Sequence, residues 1–330
     1  MDTPWGRPDA ATAAVRHAVR ATLAELAPGD LVLVACSGGA DSLALAAATA
    51  FEAPRREVRA GAVVVDHGLQ PGSARVAEEA AAVLGRLGLD PVVIVAVDVE
   101  RHGEGTESAA RSARFAALDA AADRFEATAV LLGHTLDDQA EQVLLGLTRG
   151  AGARSLAGMP VARGRYRRPL LGVGREQCRD SLRASGLTWW EDPMNEDPAF
   201  TRVRARRALA DLERDLGPGV TAALARTASL LREDADHLGA LADQAVTALG
   251  PGPWPVEVLA GIPRAVRTRV WRRLLLASGA PAGQVGIRHT DACDRLLTAW
   301  HGQGPVHAPG DLRITRSSGR VTIGPPHPVD

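Results

Sequence analysis

Residues Ser37-Gly38-Gly39-Ala40-Asp41-Ser42 set two hydroxyls, two adjacent glycines and one carboxylate between the apolar run Leu31–Cys36 and a helical segment, Leu43–Phe51. That combination suits the binding of a phosphate chain. Glycines let the backbone approach an anion and take positive φ at little cost. The N-terminus of the following helix offers unpaired N–H groups and the positive end of its dipole. Ser37 and Ser42 add donors. Asp41 cannot hold a phosphate directly, so it is expected to act through Mg2+. An ordinary glycine turn would need neither the serines nor the aspartate. A Walker loop needs a lysine after its last glycine, and this chain contains no lysine: all 38 basic residues are arginine. A Walker ATPase, a Schiff-base lysine and a pyridoxal-phosphate enzyme are thereby excluded.

The second group is Gly133-His134-Thr135-Leu136-Asp137-Asp138-Gln139-Ala140-Glu141. Thr135 can cap a helix that starts there. Asp137 and Asp138 fall in its first turn, where the helix dipole alone would favour them. Glu141, four residues after Asp137 on the same face, is not explained that way. Like charges at that spacing repel, so a cation is expected between them.

The elements that must carry these groups alternate. Short β-rich runs at Leu31–Cys36, Val63–Asp66, Val92–Val97 and Val130–Gly133 are separated by helical patterns at Leu43–Phe51, Ser73–Leu87 and Thr106–Phe125. A helix over Ala10–Leu26 precedes them, and one over Leu136–Thr148 follows. Continuous apolar runs suit strands buried on both faces. The alternation predicts an α/β fold with a parallel, Rossmann-like sheet. Ligands then sit at the carboxyl ends of the strands, which are Cys36, Asp66, Asp98 and His134.

After Gly150 the texture changes. Gly150–Arg168 reads as a glycine- and arginine-rich loop, Arg175–Ser185 as a helix, Trp189–Phe200 as irregular and Arg202–Leu216 as helical. Gly217-Pro218-Gly219 breaks the chain, so the domains are expected to be 1–216 and a smaller, mainly helical 217–330. The latter reads as helices over Val220–Leu249, Arg264–Ser278 and Gly286–Trp300, with a β-like tail, Leu312–Ile323.

Net charge is only −1, but Arg163–Arg207 holds eleven arginines against six carboxylates, and Arg264–Arg273 has five arginines and no acid. Arginine-rich faces suit phosphate backbones; solvated helix faces are the plainer reading. Cys36, Cys178 and Cys293 stand far apart without a Cys-x-x-Cys pair, so no zinc or cysteine-held iron–sulfur site is indicated. The sparse cysteines, the lack of a secretory pattern at the N-terminus and the short apolar runs predict a cytoplasmic protein with no membrane segment.

The first group resembles the pyrophosphate loop of N-type ATP pyrophosphatases, the PP-loop superfamily, which split ATP between its α and β phosphates and adenylate a substrate. Both groups together resemble those of the tRNA(Ile)-lysidine synthetase family. So do Val65-Asp66-His67-Gly68-Leu69, Glu107–Phe115, Thr148-Arg149-Gly150-Ala151-Gly152, Arg168-Pro169-Leu170-Leu171 and Trp190-Glu191-Asp192-Pro193-Met194-Asn195. The resemblance runs in order from Leu31 to Arg206. Gln70, Gln142 and Val203 depart from the family's usual arginine, threonine and asparagine, outside both central groups.

The resemblance implies ATP-dependent joining of free L-lysine to C2 of the wobble cytidine of tRNA(Ile) with a CAU anticodon, through an adenylated cytidine. It implies that Ser37 to Ser42 hold ATP, with Asp41 on Mg2+, Asp66 at adenosine and His134 at a phosphate. Asp137, Asp138 and Glu141 would bind the lysine ammonium and take its proton. Arg111 and Arg114, three apart on one helix, would face the developing charge. Trp190 would stack on the flipped cytosine, as would Trp189 unless it serves the core. Arg202, Arg204 and Arg206 would contact tRNA. A tRNA thiolase of the same superfamily and a catalytically inactive tRNA- or nucleotide-binding relative are the alternatives. The oligomeric state stays open between monomer and homodimer.

Overall fold

The computed structural model describes residues 9–68, 72–97, 106–150 and 152–325. The chain divides into two compact units, Met1–Leu231 and Arg232–Asp330.

In the first unit the elements run α1 (Ala10–Leu23), β1 (Leu31–Ala35), α2 (Ala40–Glu52), β2 (Arg59–Asp66), α3 (Ser73–Arg86), β3 (Val92–Ala96), α4 (Thr106–Arg124), β4 (Ala129–Leu132) and α5 (Leu136–Thr148). Then come α6 (Ala153–Leu156), β5 (Ala162–Arg163), β6 (Tyr166–Arg167), α7 (Arg175–Ala184), α8 (Thr201–Leu216) and the start of α9 (Val220–Leu249). The sheet order is β3-β2-β1-β4-β6-β5. Every neighbour pair is parallel except β5–β6.

Strand β1 shows why the sheet forms. Leu31 and Leu33 pack with Leu118, Ala121 and Ala122 of α4 on one face. Val32 and Val34 join Val15, Val19, Leu45 and Leu182 from α1, α2 and α7 on the other. Successive side chains point to opposite faces, so a strand covered on both sides must be apolar throughout. Across the sheet face from α4, Arg20 of α1 holds the buried Glu52 of α2 through two hydrogen bonds of 2.9 Å.

The α/β fold with a parallel Rossmann-like sheet is as expected from the sequence. One segment differs. Gly150–Arg168, read as a loop, contains α6 and the β5–β6 hairpin, and β6 pairs with β4 through Val130 and Tyr166. Two-residue strands have no periodicity to read; tertiary contacts fix them. Tyr166 meets Phe115 edge-on at 5.0 Å and donates its hydroxyl to Asp119 at 2.8 Å.

Chain order makes the functional point. β1, β2 and β3 are laid outward in one direction, and β4 then returns to the other side of β1. Connections therefore diverge between the carboxyl ends of β1 and β4, where doubly wound sheets bind ligands. Residues 36–42 and 133–141 leave the sheet at those two ends.

The second unit contains the rest of α9, then β7 (Trp254–Pro255), α10 (Val256–Gly261), α11 (Arg264–Ala277), α12 (Ile287–Thr298), β8 (Val306–Ala308), β9 (Leu312–Ser317) and β10 (Arg320–Gly324). An antiparallel sheet of order β7-β10-β9-β8 shares a core with the helices around Trp271, Leu275, Leu296 and Ile314. The arginine run of α11 is largely absorbed inside this unit. Arg267 is buried and grips Asp294 at 2.6 and 3.1 Å, while Arg264 holds Asp291 and Arg273 holds Asp243. Arg267 is thus a structural counter-ion. No helix among the described residues is long and apolar enough to cross a membrane.

Candidate active site

A cleft of about 880 Å³ in the first unit opens between the ends of β1 and β4. Its floor is the loop after β1. Gly38 has φ of +80°, the left-handed region that glycine tolerates, and α2 starts at Ala40. The two serines have different places. Ser37 is exposed, whereas Ser42 is buried. Ser42 Oγ accepts the Ser37 N–H at 3.1 Å and donates to the Gly39 carbonyl at 3.0 Å, bracing the loop. Trp190 donates its backbone N–H to the Gly38 carbonyl at 3.0 Å, and Trp190 also lines the cleft.

Gly133, at the end of β4, lies against the start of α2. A Cβ there would stand 3.0 Å from Ser42 Cα and 3.1 Å from Ser42 N. Glycine there lets β4 deliver His134 close to the loop without displacing it.

The N-terminus of α5 is closed by its own acid. Asp138 Oδ2 accepts from Thr135 N at 2.8 Å and Thr135 Oγ1 at 3.1 Å, the return half of a capping box. Asp137 turns to the neighbouring helix and accepts the Arg175 N–H at the start of α7, at 2.7 Å. The cation expected beside Glu141 is internal. Arg175 Nη2 lies 3.0 Å from Asp138 Oδ1 and 3.4 Å from Glu141 Oε1, and its Nε lies 3.4 Å from Asp41 Oδ2. Arg206 Nε adds a second cation, 2.9 Å from Glu141 Oε1. Asp41 Oδ1 and Glu141 Oε2 remain buried without a hydrogen-bond partner.

The electrostatics follow from this packing. Burial lifts the Asp41 carboxyl to about 6, opposed by Arg175 and aided by Asp138 and Asp137. Burial acts on Asp138 in the same sense, but Arg175 and the Thr135 N–H outweigh it and hold that carboxyl below its ordinary value.

A basic side faces this acidic one. Burial, then Arg111, Arg202 and Arg168, push Arg114 down to about 10. Burial, then Arg111 and Arg163, also lower Arg168. The Nε atoms of Arg114 and Arg168 are buried without partners. Mutually repelling, desolvated guanidiniums make a place for an anion. His134 feels both sides: burial lowers it to about 3, Arg168, Arg114 and Arg202 reinforce that, and Asp138 opposes it. Its imidazole is therefore neutral near pH 7.

The structure thus brings Ser37, Gly39, Ala40, Asp41, Ser42, Arg111, Arg114, His134, Asp138, Trp190, Arg202 and Arg206 to one cleft. Asp137 and Glu141 join it through Arg175. Gly38 lies in the loop floor without lining the cleft itself, and Asp66 and Arg204 stand apart from the lining. Asp66 accepts the Gly68 N–H at 3.0 Å, and His67 reaches the cleft instead. Arg204 donates to the Pro198 and Ala199 carbonyls at 2.7 and 2.9 Å. Asp98, Leu69 and Ala151 lie outside the described residues. Arg175 and His67 line the cleft, and sequence reasoning assigned neither a role there. The repulsion between Asp137 and Glu141 was a signal for Arg175, since it called for a cation without saying which.

The chain is similar to proteins of known family. A family model described as a PP-loop domain matches residues 12–213. A tRNA(Ile)-lysidine synthase from Thermobifida fusca is 56% identical over 319 residues, spanning 96% of this chain and 98% of that one. Another, from Streptomyces coelicolor, is 55% identical over 309 residues, spanning 91% and 88%. Among solved structures, the U34-tRNA thiolase NcsA from Methanococcus maripaludis with its [4Fe-4S] cluster has a TM-score of 0.57 at 18% identity. It covers 68% of this chain and 80% of that chain, a likeness of fold alone.

Proposed function

The chain belongs to the tRNA(Ile)-lysidine synthase family, and from that premise we propose how its cleft divides the labour between ATP, cytidine and lysine. The enzyme is a ligase that uses ATP to modify tRNA(Ile). In the first step cytosine O2 attacks the α-phosphorus, the bond to the β-phosphate oxygen breaks, and pyrophosphate leaves. In the second, the ε-amine of lysine attacks C2, the C2–O2 bond breaks, and AMP leaves with O2.

The observation that carries the division is the polarity of the cleft. A phosphate loop and an arginine group suit ATP and the tRNA backbone, and four carboxylates, Asp41, Asp137, Asp138 and Glu141, suit cations. Exposed Ser37 and the N-terminal amides of α2 receive the departing pyrophosphate. Neutral His134 donates a hydrogen bond to a phosphate oxygen. Arg111 and Arg114 meet the charge that develops at the α-phosphorus and O2. Trp190 supplies a stacking surface for the extruded base, and Arg202 with Arg206 sits at the mouth for the tRNA phosphates.

Asp41 fits Mg2+: its Oδ1 is a hard oxygen donor, buried and without a partner. No group of three or more His, Cys, Asp or Glu among the described residues is placed to hold a metal alone, so phosphate and water oxygens would complete the shell. When bound, the ion neutralises charge on the leaving pyrophosphate. Glu141 and Asp138 hold the lysine ammonium, and one carboxylate of the cluster takes the proton that must leave before attack.

The test is incubation with tRNA(Ile) bearing CAU, Mg2+·ATP and isotopically labelled lysine. Nucleoside mass spectrometry should show label in the wobble cytidine, with one AMP and one pyrophosphate per event. Incorporation of sulfur instead, when a sulfur donor is supplied, would support a thiolase. Product-free binding of tRNA and ATP would support an inactive relative.

A further inference from the structure

Arg175 lies among the carboxylates of the proposed cation site. Its guanidinium bridges Asp41, on the phosphate loop, to Asp138 and Glu141, on α5. Its own backbone N–H is held by the fourth acid, Asp137. The carboxylate expected to meet Mg2+ and those expected to meet lysine thus share one internal counter-ion.

The surroundings allow that counter-ion to move while its helix stays. Downstream of Arg175, α7 is anchored by the buried Cys178, Ser181 and Leu182, with Cys178 and Leu182 in the main core. The Asp137 bond fixes the backbone. Only the side chain is held by charge, and two of its three ion-pair distances are 3.4 Å, long for a charge-assisted hydrogen bond. Asp41 Oδ1 and Glu141 Oε2 remain unpartnered, so the acidic group is not satisfied by Arg175 and Arg206 together.

The identity of the placeholder is also suited to the chemistry. A guanidinium keeps its proton at any working pH, and here the four acids raise its pKa further against burial. It can occupy an ammonium site without competing as a nucleophile. A lysine in its place could titrate and attack.

We infer that Arg175 is a displaceable counter-ion that occupies the lysine-ammonium carboxylates in the nucleotide-free enzyme and couples their availability to Mg2+·ATP. Arrival of cation and phosphates at the loop removes Asp41 from the guanidinium's partners and offers it phosphate oxygens. Asp138 and Glu141 are then released to the incoming ammonium. The inference rests on the assignment of lysine to this acidic group. It makes Arg175 a positioning residue that couples the binding of lysine to that of the nucleotide.

The test is equilibrium binding of labelled L-lysine to the full chain, with and without Mg2+ and a non-hydrolysable ATP analogue. For the unmodified protein, the nucleotide should tighten lysine at least about tenfold, and lysine should tighten the nucleotide by the same factor, as linkage requires. In Arg175→Gln, lysine affinity without nucleotide should rise to the nucleotide-bound level and the ratio should fall to about one. A merely supporting residue would instead lose lysine affinity in both states, and that result would overturn the inference, as would a ratio of one in the unmodified protein. Should Arg175→Gln not fold, Arg175→Lys keeps the charge but cannot bridge both sides of the cluster. Its ratio should drop, and an unchanged ratio again overturns the inference. If folded, unmodified protein binds the nucleotide analogue but no lysine in either state, the lysine assignment itself falls, and the inference with it.

Discussion

Arg206 Nε stands 2.9 Å from Glu141 Oε1, tying α8 to a carboxylate whose side chain is only 1% exposed. Glu141 is therefore shared between an arginine expected to meet tRNA and Arg175, which reaches the phosphate loop. Replacing Glu141 should disturb lysine use more than ATP use, because its partners are Arg175 and Arg206 and not the phosphate loop itself. Glu141→Gln is expected to leave adenylation within a few-fold of normal. The second step should then need roughly ten- to a hundred-fold more lysine, for loss of a charge-assisted hydrogen bond of about 1.5–3 kcal/mol. Single-turnover reactions with labelled ATP should show adenylated tRNA accumulating at low lysine. Loss of adenylation with unchanged lysine dependence would move Glu141 to the ATP side.

Gly133 offers a steric test of the phosphate loop. The atoms that would meet a new Cβ are backbone atoms of Ser42 and Asp41, which cannot swing aside like a side chain. Gly133→Ala must push the start of α2 and the end of β4 apart by a few tenths of an ångström. A stability loss of about 1–3 kcal/mol is expected from overpacking. Binding of a fluorescent ATP analogue should weaken at least about tenfold, while tRNA affinity stays near normal. A stability loss in that range with unchanged nucleotide affinity would show that the start of α2 does not hold the phosphates.

Much of this was legible in the chain itself. Leu31 to Val34 announce a strand buried on both faces, because both alternating sets are apolar. Ser37–Ser42 then follow at a strand end, where a phosphate loop belongs. The network around Arg175 was not legible, since its partner Asp41 lies 134 positions away in sequence. Among eleven arginines in Arg163–Arg207, spacing could not single out the one facing the acids. Asp66 and Arg204 are a different case. Their residue types suited a site, but local backbone groups, the Gly68 N–H and the carbonyls of Pro198 and Ala199, engage them.

That difference separates the arginines of α8. Arg202 lines the cleft, whereas the Arg204 guanidinium already has three acceptors within its own chain. Each lysine- or arginine-phosphate contact removed should lower the slope of log affinity against log salt by about one. Arg202→Gln is expected to do so and to weaken tRNA binding. Arg204→Gln should change the slope less. Titrations of tRNA at several salt concentrations check this, and equal slopes for both variants and the unmodified protein would leave Arg202 as a solvated residue.

His134 makes the pH dependence of stability readable. Burial, with Arg168, Arg114 and Arg202 behind it, lowers its folded-state pKa from the ordinary 6.5 to about 3. Between those values the unfolded chain binds a proton that the folded chain refuses. Stability from this residue is therefore complete above about pH 6.5 and is lost as pH falls, by up to about 1.4 kcal/mol per pH unit. His134→Asn removes the term. Urea denaturation at about pH 7.5, 6 and 5, spanning the ordinary histidine range, should show the variant losing less stability on acidification than the unmodified protein. Imidazole resonances assigned to His134 should not titrate above about pH 5. A normal titration near 6.5, or parallel pH profiles for the two proteins, would mean that water reaches the ring and that His134 does not present a neutral N–H to a phosphate.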